Sequence, residues 1–358
     1  MKKSFDGNAI VYCEGAFGTP NGKTAHGLVR RSGRYRVLSV VDSHHGDRDA
    51  GAVLDGKSNN IPIYKSVKEA IDAFKNSSYP ATHLVVGLAP DGGRLPPFAR
   101  KDVLSALEKG LHVDSGLHDF LSEDEEMRSV AEKLRVVIRD VRKPPERKNL
   151  HFFSGKIEDV SCLNVAVLGT DSAIGKRTTA WIIADALQSA GHATELIGTG
   201  QTAWMQGVRY GIILDSLVND FVSGEIEHAV WRAWREVRPA VIILEGQGSL
   251  MNPAYPGGFE LLAAGRPDVV VLQHAPGRRD YDGFPGYRIQ SLEKQIQAIE
   301  LLSEKPVVAV TLNHEGLTPE DIPKRCEEIK RDTGVPAFDV LQNGAGELVK
   351  ILEPLIKL

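Results

Sequence analysis

The sequence is poor in cysteine, in aromatic residues and in any surplus of positive charge, and each shortage removes a class of function. Only Cys13, Cys162 and Cys326 are present, far apart and without metal-type spacing. They exclude a disulfide framework and a zinc site, and they point to a reducing compartment in which they serve packing. Lys and Arg total 43 against 47 Asp and Glu, a formal charge of -4. No basic surplus is therefore available to neutralise an extended nucleic-acid backbone. Small phosphorylated ligands stay open. No apolar run approaches the roughly 20 residues of a membrane span, and Met1–Asp6 lacks the apolar segment of a secretory signal. A cytoplasmic protein is expected. Its expected partners are a small-molecule substrate and further copies of itself, with no nucleic acid, no membrane and no bound metal ion.

What is present is an alternation of strand-like and helix-like stretches over 358 residues, 42% of them hydrophobic and 35 of them Gly. That length exceeds a single core. The polar stretch Asp140–Lys148, with Pro144 and Pro145, suggests a boundary between domains 1–148 and 149–358. In the first, Asn8–Tyr12, Arg36–Val41, His83–Gly87, Leu111–Asp114 and Leu134–Ile138 read as strands, and Val67–Phe74 and Lys101–Lys109 as helices. This is the pattern of a mainly parallel sheet. In the second, Thr194–Gly198, Ala240–Glu245, Val269–Gln273 and Val307–Leu312 read as strands, with helices at Thr178–Ala190 and Gln290–Leu302.

The strongest signal is the run Val165–Leu168 followed by Gly169-Thr170-Asp171-Ser172-Ala173-Ile174-Gly175-Lys176-Arg177-Thr178-Thr179. It reads as a strand, a phosphate-binding loop and a helix start. Backbone N–H groups, the helix dipole and the Lys176 ammonium suit the oxygens of a di- or triphosphate. The usual pattern places Ser or Thr directly after the Lys to hold Mg²⁺, and here Arg177 stands there. Phosphate binding is thus better supported than metal-dependent phosphoryl transfer; a plain Gly-rich turn is the alternative.

Further candidates fall at strand ends, the ligand-binding edge of an open parallel sheet. Glu245 closes a strand too apolar to be anything but central, where an acid can accept a proton or hold a metal-bound water. Gln247 and Ser249 follow it. Thr199 and Gln201 end another strand with hydroxyl and amide groups suited to substrate polar atoms. His274 follows a third strand, and Arg278 and Arg279 can clamp a carboxylate or phosphate. Asn313 could read an adenine edge, and Asp215 and Asp220 could complete a metal or amine site or lie on a solvated helix. In the first domain Asp42 stands where a dinucleotide-binding domain grips a ribose hydroxyl. The three-glycine spacing is missing, however, and Pro20 interrupts the Gly-rich turn 14–24. His118 could carry protons, but a loop histidine is more often structural.

The second domain resembles dethiobiotin synthetase and related P-loop ligases, through Gly169–Lys176 and Glu245-Gly246-Gln247-Gly248, and departs from them at Arg177. The whole chain resembles more closely a family long described as a domain of unknown function. The resemblance rests on the loop ending Gly-Lys-Arg-Thr-Thr, on Thr199-Gly200-Gln201-Thr202 and Glu245–Leu250, and on Gly116-Leu117-His118 and Asp140-Val141-Arg142. It implies an α/β fold: a Rossmann-like parallel-sheet domain, then a P-loop parallel-sheet domain of the dethiobiotin synthetase kind. Some members of that family are D-glutamate N-acetyltransferases that use acetyl-CoA, and the resemblance alone implies acetyl transfer. On that reading the loop holds the phosphates of coenzyme A, and Asn313 belongs to the same cofactor site. Glu245 or His274 is the base, loop amides or Gln201 stabilise the oxyanion, and Arg278 or Arg279 clamps substrate carboxylate, with Thr199, Gln247 and Ser249 lining the substrate site. The alternatives are an ATP- and Mg²⁺-dependent ligase or kinase, and a nucleotide-sensing protein without turnover.

Overall fold

The computed structural model describes residues 5–357. The chain divides into two compact units. One runs to Pro145 and takes in Gln201–Val208; the other comprises Glu146–Gly200 and the chain from Arg209 on.

The first unit holds strands β1 (Gly7–Tyr12), β2 (Tyr35–Val41), β3 (Ile63–Tyr64), β4 (His83–Val86), β5 (His112–Ser115) and β6 (Ile138–Asp140) in the order β3-β2-β1-β4-β5-β6. Every pairing is parallel. Such a sheet must be covered on both faces, because its crossover helices lie there, and its central strands β1 and β4 accordingly carry apolar runs. Ile10, Val11 and Tyr12 of β1 and Leu84, Val85 and Val86 of β4 are all buried. The helix Pro97–Glu108 begins four residues before its expected start at Lys101. Pro97 fits there because a first helical position has no use for a backbone N–H. The expected strand Leu134–Ile138 is a misreading. Leu134 ends the helix Glu125–Leu134, Arg135 turns left-handed at φ +57°, and pairing starts only at Ile138.

The second unit holds β7 (Leu163–Gly169), β8 (Thr194–Gly198), β9 (Tyr210–Gly211), β10 (Val241–Glu245), β11 (Val269–His274), β12 (Val307–Leu312) and β13 (Ala337–Phe338), in the order β13-β12-β11-β7-β10-β8-β9, again all parallel. β7 is wholly buried between β10 and β11. The ends of these three strands and the helix Lys176–Ser189 after β7 therefore converge on one edge. The helix Asn219–Val237 went unread in the sequence. Its packed face carries a buried acid, Glu227, whose carboxylate accepts N–H groups of Ser154 (2.6 Å) and Ile157 (3.2 Å). An acid in the middle of the stripe hides its period.

Gln201–Val208 lies between β8 and β9 in sequence yet packs in the first unit. Met205 is fully buried there, Gln206 Nε2 donates to the Gly27 carbonyl at 2.8 Å, and the hydroxyls of Thr24 and Thr202 are 3.0 Å apart. No helix among the described residues is long and apolar enough to cross a membrane.

Candidate functional site

The geometry of the loop after β7 follows from its sequence. Gly175 has φ +97°, a conformation in which a side chain would be strained, and it lets the chain turn straight into the helix that Lys176 begins. Gly169 is needed for room: a Cβ there would stand 2.8 Å from Lys176 Cδ. The Lys176 stem therefore lies back over the loop. Its ammonium donates to the carbonyls of Asp171 (2.6 Å) and Gly248 (2.7 Å). Burial pushes its pKa down to about 8, against the opposing pull of Asp171 and Glu245.

Asp171 organises the surrounding loops. It is fully buried, and its carboxylate accepts from the N–H of Ser172 (2.7 Å), Asn252 Nδ2 (2.8 Å), Arg278 Nη1 (2.8 Å) and the N–H of Asp282 (2.9 Å). Arg278 also donates to the Ser172 carbonyl at 2.9 Å and pairs with Glu315 at 2.6 Å. Thus one of the two arginines offered as a substrate clamp holds two of the protein's own carboxylates. Asn252, absent from the sequence reading, also accepts from the N–H groups of Ala254 and Tyr255, both at 2.9 Å, and so fixes the turn after Ser249. Asn313 Nδ2 donates to the Ile174 carbonyl at 2.9 Å, bracing the loop. Thr179 turns its hydroxyl to Gln273 Oε1 at 2.6 Å. Ala173 is exposed, and Ser172, Arg177 and Thr178 are half-buried.

Glu245 sits at the end of β10 beside Val167 of β7. Its carboxyl is buried, 6% exposed, and accepts a long hydrogen bond (3.4 Å) from the N–H of Thr199, whose hydroxyl donates to the Glu245 carbonyl at 2.9 Å. Burial raises its pKa, opposed by Arg177, by the Thr199 N–H and by Lys176. The amide of Gln247 packs over Gly200, where a Cβ would stand 2.6 Å from Nε2. Ser249 is buried with its hydroxyl unpartnered. Half-buried His274 places Nδ1 3.0 Å from the Thr170 hydroxyl, and enclosure of the ring pushes its pKa down to about 4, leaving it neutral. Arg279 is exposed. Glu245, Lys176, Arg177, Thr199, Gln247 and His274 therefore share the edge formed by the ends of β7, β8, β10 and β11. Gln201 does not join them. It packs against Gly116 of the first unit, where a Cβ would come within 2.7 Å of its Cγ. Asp215 and Asp220 are exposed, Asp220 in the first turn of its helix.

In the first unit Asp42 is fully buried and its carboxylate is committed internally. It accepts from the N–H groups of Phe17 (2.8 Å) and His44 (2.9 Å) and meets His45 Nδ1 at 3.3 Å. The residue where a ribose grip was conceivable is instead a turn anchor. Asp42→Ala is expected to lower stability by about 2–3 kcal/mol, the range for hydrogen bonds to a charged group plus the donors left unpaired, with little change in ligand affinity; thermal unfolding checks it. The two short motifs of the first half meet in space. Arg142 Nε donates to the Gly116 carbonyl at 2.6 Å and Nη1 lies 3.0 Å from His118 Nε2, while Asp140 caps the N–H groups of Leu121 (2.8 Å) and Ser122 (2.9 Å).

A Rossmann-like unit and a unit built around a phosphate-type loop define the class. Residues 151–349 match the family described as "Domain of unknown function (DUF1611_C) P-loop domain", and residues 43–144 match its Rossmann-like N-terminal counterpart. The chain belongs to this family. It is 31% identical over 285 residues to a Tritonibacter scottomollicae protein named D-glutamate N-acetyltransferase, covering 76% of this chain and 81% of that one. A Pseudoalteromonas protein of the same name is 29% identical over 280 residues, with 75% and 80% covered. The crystal structure of a DUF1611 family protein from Anabaena variabilis superposes with a TM-score of 0.89 at 28% identity, over 98% of this chain and 100% of that one.

Proposed function

We propose that the protein is an N-acetyltransferase that uses acetyl-CoA and acts on an acidic amino acid, D-glutamate in the first instance, with the Gly169–Thr179 loop holding the phosphates of coenzyme A. The observation that carries the reaction is the shared name of two relatives that align over most of this chain. The loop supports the cofactor. Buried Lys176, the N–H groups of the loop and the start of the helix Lys176–Ser189 together suit a diphosphate. The exposed apolar side chains of Met251 and Tyr255 follow Ser249, and a Cβ on Gly248 would strike the Tyr255 carbonyl. They offer a surface on which the flexible pantetheine arm can turn back toward the strand ends.

Acetyl transfer needs a base to free the substrate amine and donors for the tetrahedral oxyanion. Glu245 is the base in this reading. Its raised carboxyl pKa makes it a better proton acceptor than an ordinary glutamate, whereas His274, pushed down to about 4, is too weak a base to lead. Arg279, which is exposed, is the one assigned to the substrate carboxylate, because Arg278 is held by Asp171 and Glu315. Appearance of free thiol on mixing the protein with acetyl-CoA and D-glutamate tests the proposal. ADP release from ATP that depends on D-glutamate, without thiol release, would favour the ligase or kinase reading instead.

The Lys176 ammonium adds a pH dependence. The protonated form binds phosphate, and in the free protein it is lost through a pKa of about 8. Affinity for CoA should therefore fall as pH rises from about 7 to about 9, by up to tenfold per pH unit above that pKa until bound phosphate no longer holds the proton. Calorimetric titrations across that range check it, and Lys176→Ala should flatten the trend.

A further inference from the structure

We propose that Arg177 is a built-in substitute for the divalent cation of a phosphate-loop site, so that the loop takes a diphosphate without metal. The inference rests on the reading of Gly169–Thr179 as the phosphate site and specifies the ligand class: a diphosphate ester free of metal rather than a magnesium-chelated triphosphate.

In phosphate loops of the common kind, Mg²⁺ is held between the hydroxyl directly after the loop lysine and an acid at a neighbouring strand end. Both positions are recognisable here, and the first is filled differently. The hydroxyl position is Arg177, in the first turn of the helix Lys176–Ser189. The strand-end acid is Glu245, brought to that turn because β10 pairs with β7 and because the Gly248 carbonyl, three residues on, accepts from Lys176 Nζ at 2.7 Å. Of the charges that act on Glu245, Arg177 has the largest effect, ahead of Lys176. An arginine and a glutamate of the protein itself therefore occupy the two chain positions between which a metal would be bridged.

Two nearby candidates for the missing ligand are already engaged. The Thr179 hydroxyl is turned to Gln273 Oε1 at 2.6 Å, and each oxygen of the Asp171 carboxylate already accepts from two donors. Arg177 is half-buried, long enough to reach a phosphate oxygen and charged at every working pH. Its planar fork can donate twice to a phosphate and, unlike Mg²⁺, has no tightly held water to shed. Such a site neutralises a diphosphate yet offers no metal to bridge β- and γ-phosphoryl oxygens, as suits a cofactor whose phosphates are a handle and not a reactant.

The test is calorimetric titration of the full chain with CoA, and separately with ADP, in EDTA and in excess MgCl₂. Wild-type dissociation constants should agree within about threefold between the two conditions, while Arg177→Thr should weaken binding in EDTA by about tenfold or more, the loss of a charged hydrogen bond, and regain part of it with Mg²⁺. Arg177→Lys, which keeps the charge but not the fork, should fall between, and thermal unfolding of each variant establishes that it is folded. Wild-type binding that requires Mg²⁺, or Arg177→Thr binding as tightly as wild type in EDTA, would overturn the inference while leaving the phosphate site standing. Absence of CoA and ADP binding in both conditions would overturn the phosphate site, and this inference with it.

Discussion

Glu245→Gln is expected to lower turnover by on the order of 10²–10⁴-fold, the usual contribution of a positioned general base, with CoA affinity little changed. The substitution keeps shape and a hydrogen-bond acceptor for the Thr199 N–H, so the end of β10 should stay intact. What it removes is a carboxylate that burial raises and two neighbouring cations, Arg177 and Lys176, pull back down. Loss of one negative charge beside the phosphate loop can only favour an anionic ligand, so weaker CoA binding in this variant would point to a structural role. Full activity would rule Glu245 out as the base. Steady-state kinetics together with CoA titration separates these outcomes.

Lys176→Ala is expected to weaken CoA binding by about 2–3 kcal/mol, or roughly 30–150-fold, the range for hydrogen bonds to a charged group. In the free protein the ammonium is held by the carbonyls of Asp171 and Gly248, two anchors that place it across the mouth of the loop. The fold should survive. A buried ammonium whose pKa is pushed down to about 8 is itself a cost to the folded state, so its removal is expected to leave thermal stability unchanged or slightly raised.

The legible parts of the sequence were those with local periodicity. The apolar runs of β1, β7, β10, β11 and β12, the Gly-bounded loop and the helix behind it are dictated by residues adjacent in the chain, and they form where the pattern places them. The two-residue strands β3, β9 and β13 carry no period to detect and exist only through pairing with β2, β8 and β12. The helix Lys23–Arg30 goes unread in the sequence, and only its first two residues fall in the Gly-rich turn 14–24, because Gly22 and Pro20 precede it so closely. At the candidate site the residue types were legible and their partners were not. Asp171 and Arg278 look like ligand-binding groups in the sequence; only the fold shows that they bind each other across 107 positions, with Asn252 and Asp282 completing the cluster. The placement of Gln201 with the first unit is likewise invisible locally. Trp204 and Gln206 pack there through contacts with Gly27, Gly33 and Arg34, some 170 or more positions earlier in the chain.

The most direct test of the central claim compares two acetyl donors in the wild type and in Lys176→Ala: acetyl-CoA, and S-acetylpantetheine, which carries the same thioester without phosphates. If the loop grips the diphosphate, the variant should lose roughly 30–150-fold in kcat/KM with acetyl-CoA and change little with S-acetylpantetheine. An equal loss with both donors, or no loss with either, would contradict it.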